Sequence, residues 1–93
     1  MVSAVVLLNV EHDQIGEVAE AVTEMDGVTA VYSVAGRYDL VAVVRVKTNE
    51  ELADLIPGRI LKNPYIKSAE TLIAFRVYSR KDVDAAFSLG ADR

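Results

Sequence analysis

Three stretches of the chain, Val2–Val10, Tyr38–Lys47 and Ser68–Tyr78, are apolar on both phases of a two-residue alternation. In the first, Val2, Ala4, Val6, Leu8 and Val10 share one face, while Val5 and Leu7 lie on the other. In the second, Leu40, Ala42, Val44 and Val46 alternate with Val41 and Val43. In the third, Thr71, Ile73, Phe75 and Val77 alternate with Leu72, Ala74 and Tyr78. Successive strand residues point to opposite faces of a sheet, so a strand covered on one side should read apolar-in, polar-out. These strands need cover on both sides.

The segments between them supply cover for one side. Asp13–Met25 places Ile15, Val18, Ala19, Val22 and Met25 at helical spacing, with Glu17, Glu20 and Glu24 facing away. Asp13 is a candidate N-cap, and Gly27 after Asp26 a candidate terminator. Val28–Ala35 reads as a further strand, joined to Tyr38–Lys47 through a tight hairpin at Gly36-Arg37. Thr48-Asn49-Glu50-Glu51 fits a capping box ahead of a helix carrying Leu52, Leu55, Ile56 and Ile60. Pro57-Gly58 should interrupt that helix, and Asn63-Pro64 should end it. Ser79–Asp82 suggests a cap for a short tail helix over Asp82–Leu89.

The order βαββαβ is that of a ferredoxin-like α+β sandwich, with two helices on one face of four antiparallel strands. The expectation is one domain over 1–93, with a core over 2–78 and a helical tail over 79–93. An uncovered apolar sheet face exceeds what monomers ordinarily expose. The expected occupant is a second copy, packed sheet to sheet about a two-fold axis. The competing occupant is the tail helix, whose apolar residues are Val83, Ala86, Phe87 and Leu89.

Composition narrows the function classes. The chain has 14 acidic and 10 basic residues, a net charge of −4, and its cations are scattered, so a phosphate-neutralising surface is not expected. No apolar run approaches the roughly 20 residues of a membrane span, and the start lacks a basic leader, so the expected compartment is the cytoplasm. Without cysteine there is no disulfide, thiolate site or cysteine nucleophile. The single histidine, His12, lies between Glu11 and Asp13 and has no second nitrogen ligand to join it. None of the serines sits in a nucleophile-elbow context, and the glycines form no phosphate-cradling loop. No catalytic, metal or cofactor residues are expected.

One local signal remains, Val34-Ala35-Gly36-Arg37-Tyr38-Asp39-Leu40. Asp39 opens a very apolar strand, where a carboxylate needs a partner. Arg37 or a ligand amine can supply it, and Gly36 allows close backbone approach by a ligand carboxylate. Together these suit an α-amino acid. The plainer alternative from chemistry alone is that Asp39 serves the hairpin itself by capping local N–H groups.

This motif, Gly36-Arg37-Tyr38-Asp39-Leu40 preceded by Val31–Ala35, resembles the G-x-Y-D hairpin of the effector-binding (RAM) domain of the Lrp/AsnC regulators. Thr48–Ile56 resembles that family's second helix start, and Thr71-Leu72-Ile73-Ala74-Phe75 its last strand. The resemblance implies dimers joined through their sheets, assembled into an octamer or similar ring, with an amino-acid effector bound between dimers. It implies ligand contacts from Gly36, Arg37, Tyr38, Asp39 and Thr71. It also implies a stand-alone form without the family's helix-turn-helix, acting without direct nucleic-acid contact, with a full-length paralogue as a further partner. Ala69 stands where members often carry a first Thr, Pro64-Tyr65-Ile66 stands for Pro-Gly-Val, and Arg37 for an acid. Three other readings share the fold, one of them a small dimeric enzyme such as a cofactor-independent monooxygenase, for which the chain offers few polar catalytic groups. A pure interaction module would fill the site with its own side chains, such as Tyr38 or Tyr65. An ACT-like sensor would bind its ligand near Asn9–Gln14.

Overall fold

A computed structural model describes residues 1–78 and Arg80. Its elements are β1 (Val2–Val10), a 3₁₀ turn (His12–Gln14), α1 (Ile15–Thr23), β2 (Val28–Ser33), β3 (Leu40–Val46), α2 (Asn49–Leu55), a second 3₁₀ turn (Ile60–Lys62) and β4 (Ile66–Ile73). The four strands form one antiparallel sheet in the order β2-β3-β1-β4. This is the ferredoxin-like arrangement expected from the element order. The tail helix expected over Asp82–Leu89 lies outside the described residues.

The alternation in β1 and β3 divides as the sequence indicates. Ala4, Val6, Leu8 and Val10 of β1 are buried with Leu40, Ala42, Val44 and Val46 of β3. Val18 and Val22 of α1, and Leu52, Leu55, Ile56 and Ile60 around α2, close over them. Ile15, Ala19 and Met25 pack on the margin of this core, so the whole expected stripe of α1 faces the sheet.

Element ends differ from the sequence reading in four places. Asp13 does not cap α1, because His12–Gln14 forms a 3₁₀ turn and α1 starts at Ile15 with no side-chain cap. The β2–β3 connection is longer than a tight turn: β2 stops at Ser33, β3 starts at Leu40, and the Val34 N–H donates to the Asp39 carbonyl at 3.0 Å. At α2, Thr48 Oγ1 accepts from the Glu51 N–H at 3.1 Å, but Glu51 reaches back to the Lys47 N–H, one residue earlier than the expected box. β4 spans Ile66–Ile73, not Ser68–Tyr78; only the Ala74 N–H, donating to the Ser3 carbonyl at 2.9 Å, prolongs its ladder.

Gly27 lets the α1–β2 turn close on the core. Its φ is +96°, and an added Cβ would sit 2.8 Å from Val46 Cγ1 and 3.0 Å from Leu55 Cδ2. Backbone strain and overpacking then act together, so Gly27→Ala should lower unfolding free energy by about 1–3 kcal/mol. A denaturant midpoint lowered at unchanged slope would register it.

The second sheet face carries no helix among the described residues. Strand register lays two rows across it. One is Ala30, Val43, Val5 and Leu72; the other is Tyr32, Val41, Leu7 and Glu70. At one end the register puts Arg45 beside Ser3, and at the other Asn9 donates to Ser68 Oγ at 3.0 Å. The face is an apolar centre with a polar border, which is the anatomy of a protein–protein interface.

Candidate functional site

The hairpin loop is built where β3 gives out before β1 does. Leu8 pairs with Leu40, so the N–H of Val10 projects past the start of β3. The Asp39 side chain takes that place: Val10 N–H donates to Asp39 Oδ2 at 2.8 Å, and Asp39 N–H donates to the Leu8 carbonyl at 2.9 Å. Half-buried Asp39 is thus anchored to β1 at two points, once by its carboxylate and once by its backbone N–H. The ladder's last donor is satisfied by a side chain instead of a carbonyl. One carboxylate oxygen is committed to this bond.

Gly36 lies at φ +134° with open space around the position of a Cβ, so the loop tip leaves its backbone approachable. Arg37 beside it is exposed. Tyr38 turns to the last strand, where its hydroxyl donates to Glu70 Oε2 at 2.7 Å. That bond holds the Tyr38 pKa above the ordinary phenol value; desolvation and the Glu70 charge add to it, and Arg37 opposes it. Tyr38 therefore stays protonated and continues to donate at neutral pH.

Glu70 is the participant that sequence reasoning missed. Its register position opposite Leu7 places it on the open sheet face, one strand beyond β1. A lone acid in an apolar strand was the available signal, but its partner is 32 residues away. A second join comes from Glu11, whose N–H donates to the Tyr65 carbonyl at 3.0 Å and ties the end of β1 to the loop before β4.

Thr71 sits elsewhere. It pairs with Val6 on the helix-facing side of β4 and lines a groove with Leu52, Ile56 and Ile73. No side-chain hydrogen bond among the described residues joins it to Gly36–Asp39. Four of the five expected site residues are thus contiguous on one loop, and the fifth faces another surface of the same chain.

A cleft of about 440 Å³ occupies the opposite end of the sheet, between the α1–β2 turn and α2. Its charged lining consists of Asp26, Glu51 and Asp54 with Arg45, Lys47 and Arg59. It contains none of the expected site residues. No helix among the described residues is long and apolar enough to cross a membrane.

Against this geometry, a family model described as the Lrp/AsnC ligand binding domain matches residues 3–83. Among solved structures, TTHA0845 from Thermus thermophilus is 44% identical, with a TM-score of 0.81 over 86% of this chain and 100% of its own. The hypothetical protein PHS023 from Pyrococcus horikoshii is 32% identical, with a TM-score of 0.77 over 86% of this chain and 96% of its own. The transcriptional regulator NMB0573 of Neisseria meningitidis, solved as a complex with L-Met, shares the fold at 11% identity, with a TM-score of 0.75 over 85% of this chain and 53% of its own. No protein of curated function matches the sequence.

Proposed function

The chain belongs to the Lrp/AsnC ligand-binding domain family, and from that premise we propose that it is an oligomerising sensor that binds an amino acid at its Gly36–Asp39 hairpin and performs no catalysis. The observation that carries this reading is the anchored Asp39. Its carboxylate is fixed by the Val10 N–H beside the open backbone of Gly36, so an anion and approachable donors are held a few residues apart. An α-amino acid presents the complementary pair, an ammonium and a carboxylate. The L-Met complex of the more distant regulator is consistent with an amino acid as the ligand class.

In this reading the hairpin is half of a site. Gly36 and Arg37 face solvent, and a small ligand needs most of its surface covered. A neighbouring subunit supplies the rest, and Thr71, on a different surface, contributes from that neighbour. Further copies of the chain and full-length Lrp/AsnC regulators are the proposed partners, the assembly being an octamer or similar ring in the cytoplasm. Nucleic acid is not a direct partner, given the net charge of −4.

One observation favours the interaction module instead: the fold itself uses an Asp39 oxygen. Thermal unfolding against a panel of amino acids separates the two. A ligand that binds only the native state raises the melting temperature with concentration. The sensor predicts a rise with one side-chain class; a flat response across the panel, with the assembly intact, favours the module.

A further inference from the structure

Among the described residues, hydrogen bonds hold the hairpin loop at its neck and at one further point. At the neck, the Val34 N–H donates to the Asp39 carbonyl, and Asp39 is bonded to Leu8 and Val10 of β1. Ala35, Gly36 and Arg37 at the tip are all exposed, which leaves the tip little packing to hold it. The further point is Tyr38, whose hydroxyl donates to Glu70 Oε2 at 2.7 Å. Because Asp39 lies against Leu8, Tyr38 sets out from the β3 side of β1, whereas Glu70 stands beyond β1 on β4. The phenol side chain thus spans the central strand and ties the loop to a residue 32 positions away in sequence.

The bond also has a direction. A carboxylate only accepts, so the phenol, with its single proton, is the donor. With that proton committed to Glu70, the Tyr38 oxygen presents lone pairs alone to anything else that approaches it. Lone pairs accept from an ammonium and repel a carboxylate. A neutral or apolar residue in place of Glu70 would remove this bias along with the tether.

We propose, resting on the reading of the hairpin as an amino-acid site, that Glu70 is its positioning residue: through Tyr38 it fixes the loop before a ligand arrives and makes the phenol oxygen an acceptor for the ligand ammonium. Asp39 then supplies the negative charge, and Gly36 and Arg37 are left for the ligand carboxylate. A loop fixed in advance does not have to be ordered on binding, and affinity gains by that amount.

Two measurements separate the placement of Tyr38 from the binding of a ligand. Backbone nitrogen-15 relaxation without ligand reads the loop. The order parameters of Gly36, Arg37 and Tyr38 should be about 0.85 in the unsubstituted chain and fall below about 0.6 in Glu70→Leu. Glu70→Gln, whose amide oxygen still accepts, should keep most of the order. In a Tyr38→Phe background, Glu70→Leu should add nothing, since the hydroxyl through which it acts is gone. Titration calorimetry with each common amino acid reads the consequence. Binding should weaken about threefold to tenfold in Glu70→Leu, the effect of one exposed hydrogen bond, and should not change with Glu70→Leu when Tyr38 is already Phe. Circular dichroism checks that each variant is folded. Loop order unaffected by Glu70→Leu, or a loss of order or affinity that persists in the Tyr38→Phe background, would overturn the role of Glu70. Loop order responding as expected with no amino acid bound would sustain the placement of Tyr38 by Glu70 and overturn the amino-acid reading alone.

Discussion

Val43→Asp is expected to leave the domain folded and to break the proposed sheet-to-sheet contact, lowering the mass of the particle in solution. Val43 stands in the centre of the open sheet face, between Ala30 on β2 and Val5 on β1. Its side chain points away from the core formed by Ala42 and Val44, so the substitution creates no cavity. In a two-fold contact each change occurs twice. Losing two buried valines, at about 1.5 kcal/mol each, and desolvating two carboxylates together exceed about 4 kcal/mol, or a thousandfold in dissociation constant. Light scattering across a dilution series reads the mass. Lys47→Asp, in the charged cleft just beyond the end of β3, introduces the same acid off the open face and should leave the mass unchanged. If Val43→Asp retains the wild-type mass, the open face is not where copies meet.

The second large effect concerns Asp39, where structural and binding roles fall on one side chain. Asp39→Ala removes the acceptor of the Val10 N–H. A donor left unpaired at a partly buried position costs about 1–3 kcal/mol, so the melting temperature should fall without loss of the fold. Asp39→Asn keeps a carbonyl oxygen in the same place and removes only the charge. Its stability should lie close to that of the unsubstituted chain. Its affinity for an amino acid should nonetheless drop tenfold or more, because the ion pair with the ammonium becomes an ion–dipole contact. If Asn binds as Asp does, the carboxylate serves the hairpin alone.

Most of the fold was legible because its signals are local. The two-phase alternation in β1 and β3 fixed which residues enter the core, and it required a second, uncovered face. The stripe of α1 and the cap at Thr48 followed from spacings of three and four residues. The expected Asp13 cap failed because a 3₁₀ turn over His12–Gln14 takes up the residues before α1. The expected continuation of β4 to Tyr78 failed for another reason. Its apolar pattern is real, but β1 begins at Val2 and offers no partner beyond Ala74. The apolar side chains there, Phe75, Val77 and Tyr78, are exposed.

The candidate site was legible only in part. Gly36 and Asp39 announced themselves through residue type, a glycine needing positive φ and an acid among apolar neighbours. What Asp39 binds depends on how far β3 stops short of the end of β1, and no local pattern carries that offset. Glu70 was invisible for the same reason: β4 crosses β1 in a register set by tertiary packing, and that register brings Glu70 to Tyr38. Thr71, drawn into the site by resemblance, faces the groove under α2. It can meet the hairpin only across a subunit boundary.

Amino-acid binding at the hairpin decides the function proposed for this chain. Titration calorimetry of the assembled protein with individual amino acids tests it most directly, with Asp39→Asn titrated in parallel. Saturable binding is expected, confined to one side-chain class and weakened tenfold or more in Asp39→Asn at unchanged assembly mass. Absence of saturable heat with every amino acid across a range of temperatures, or equal binding by both proteins, would contradict it.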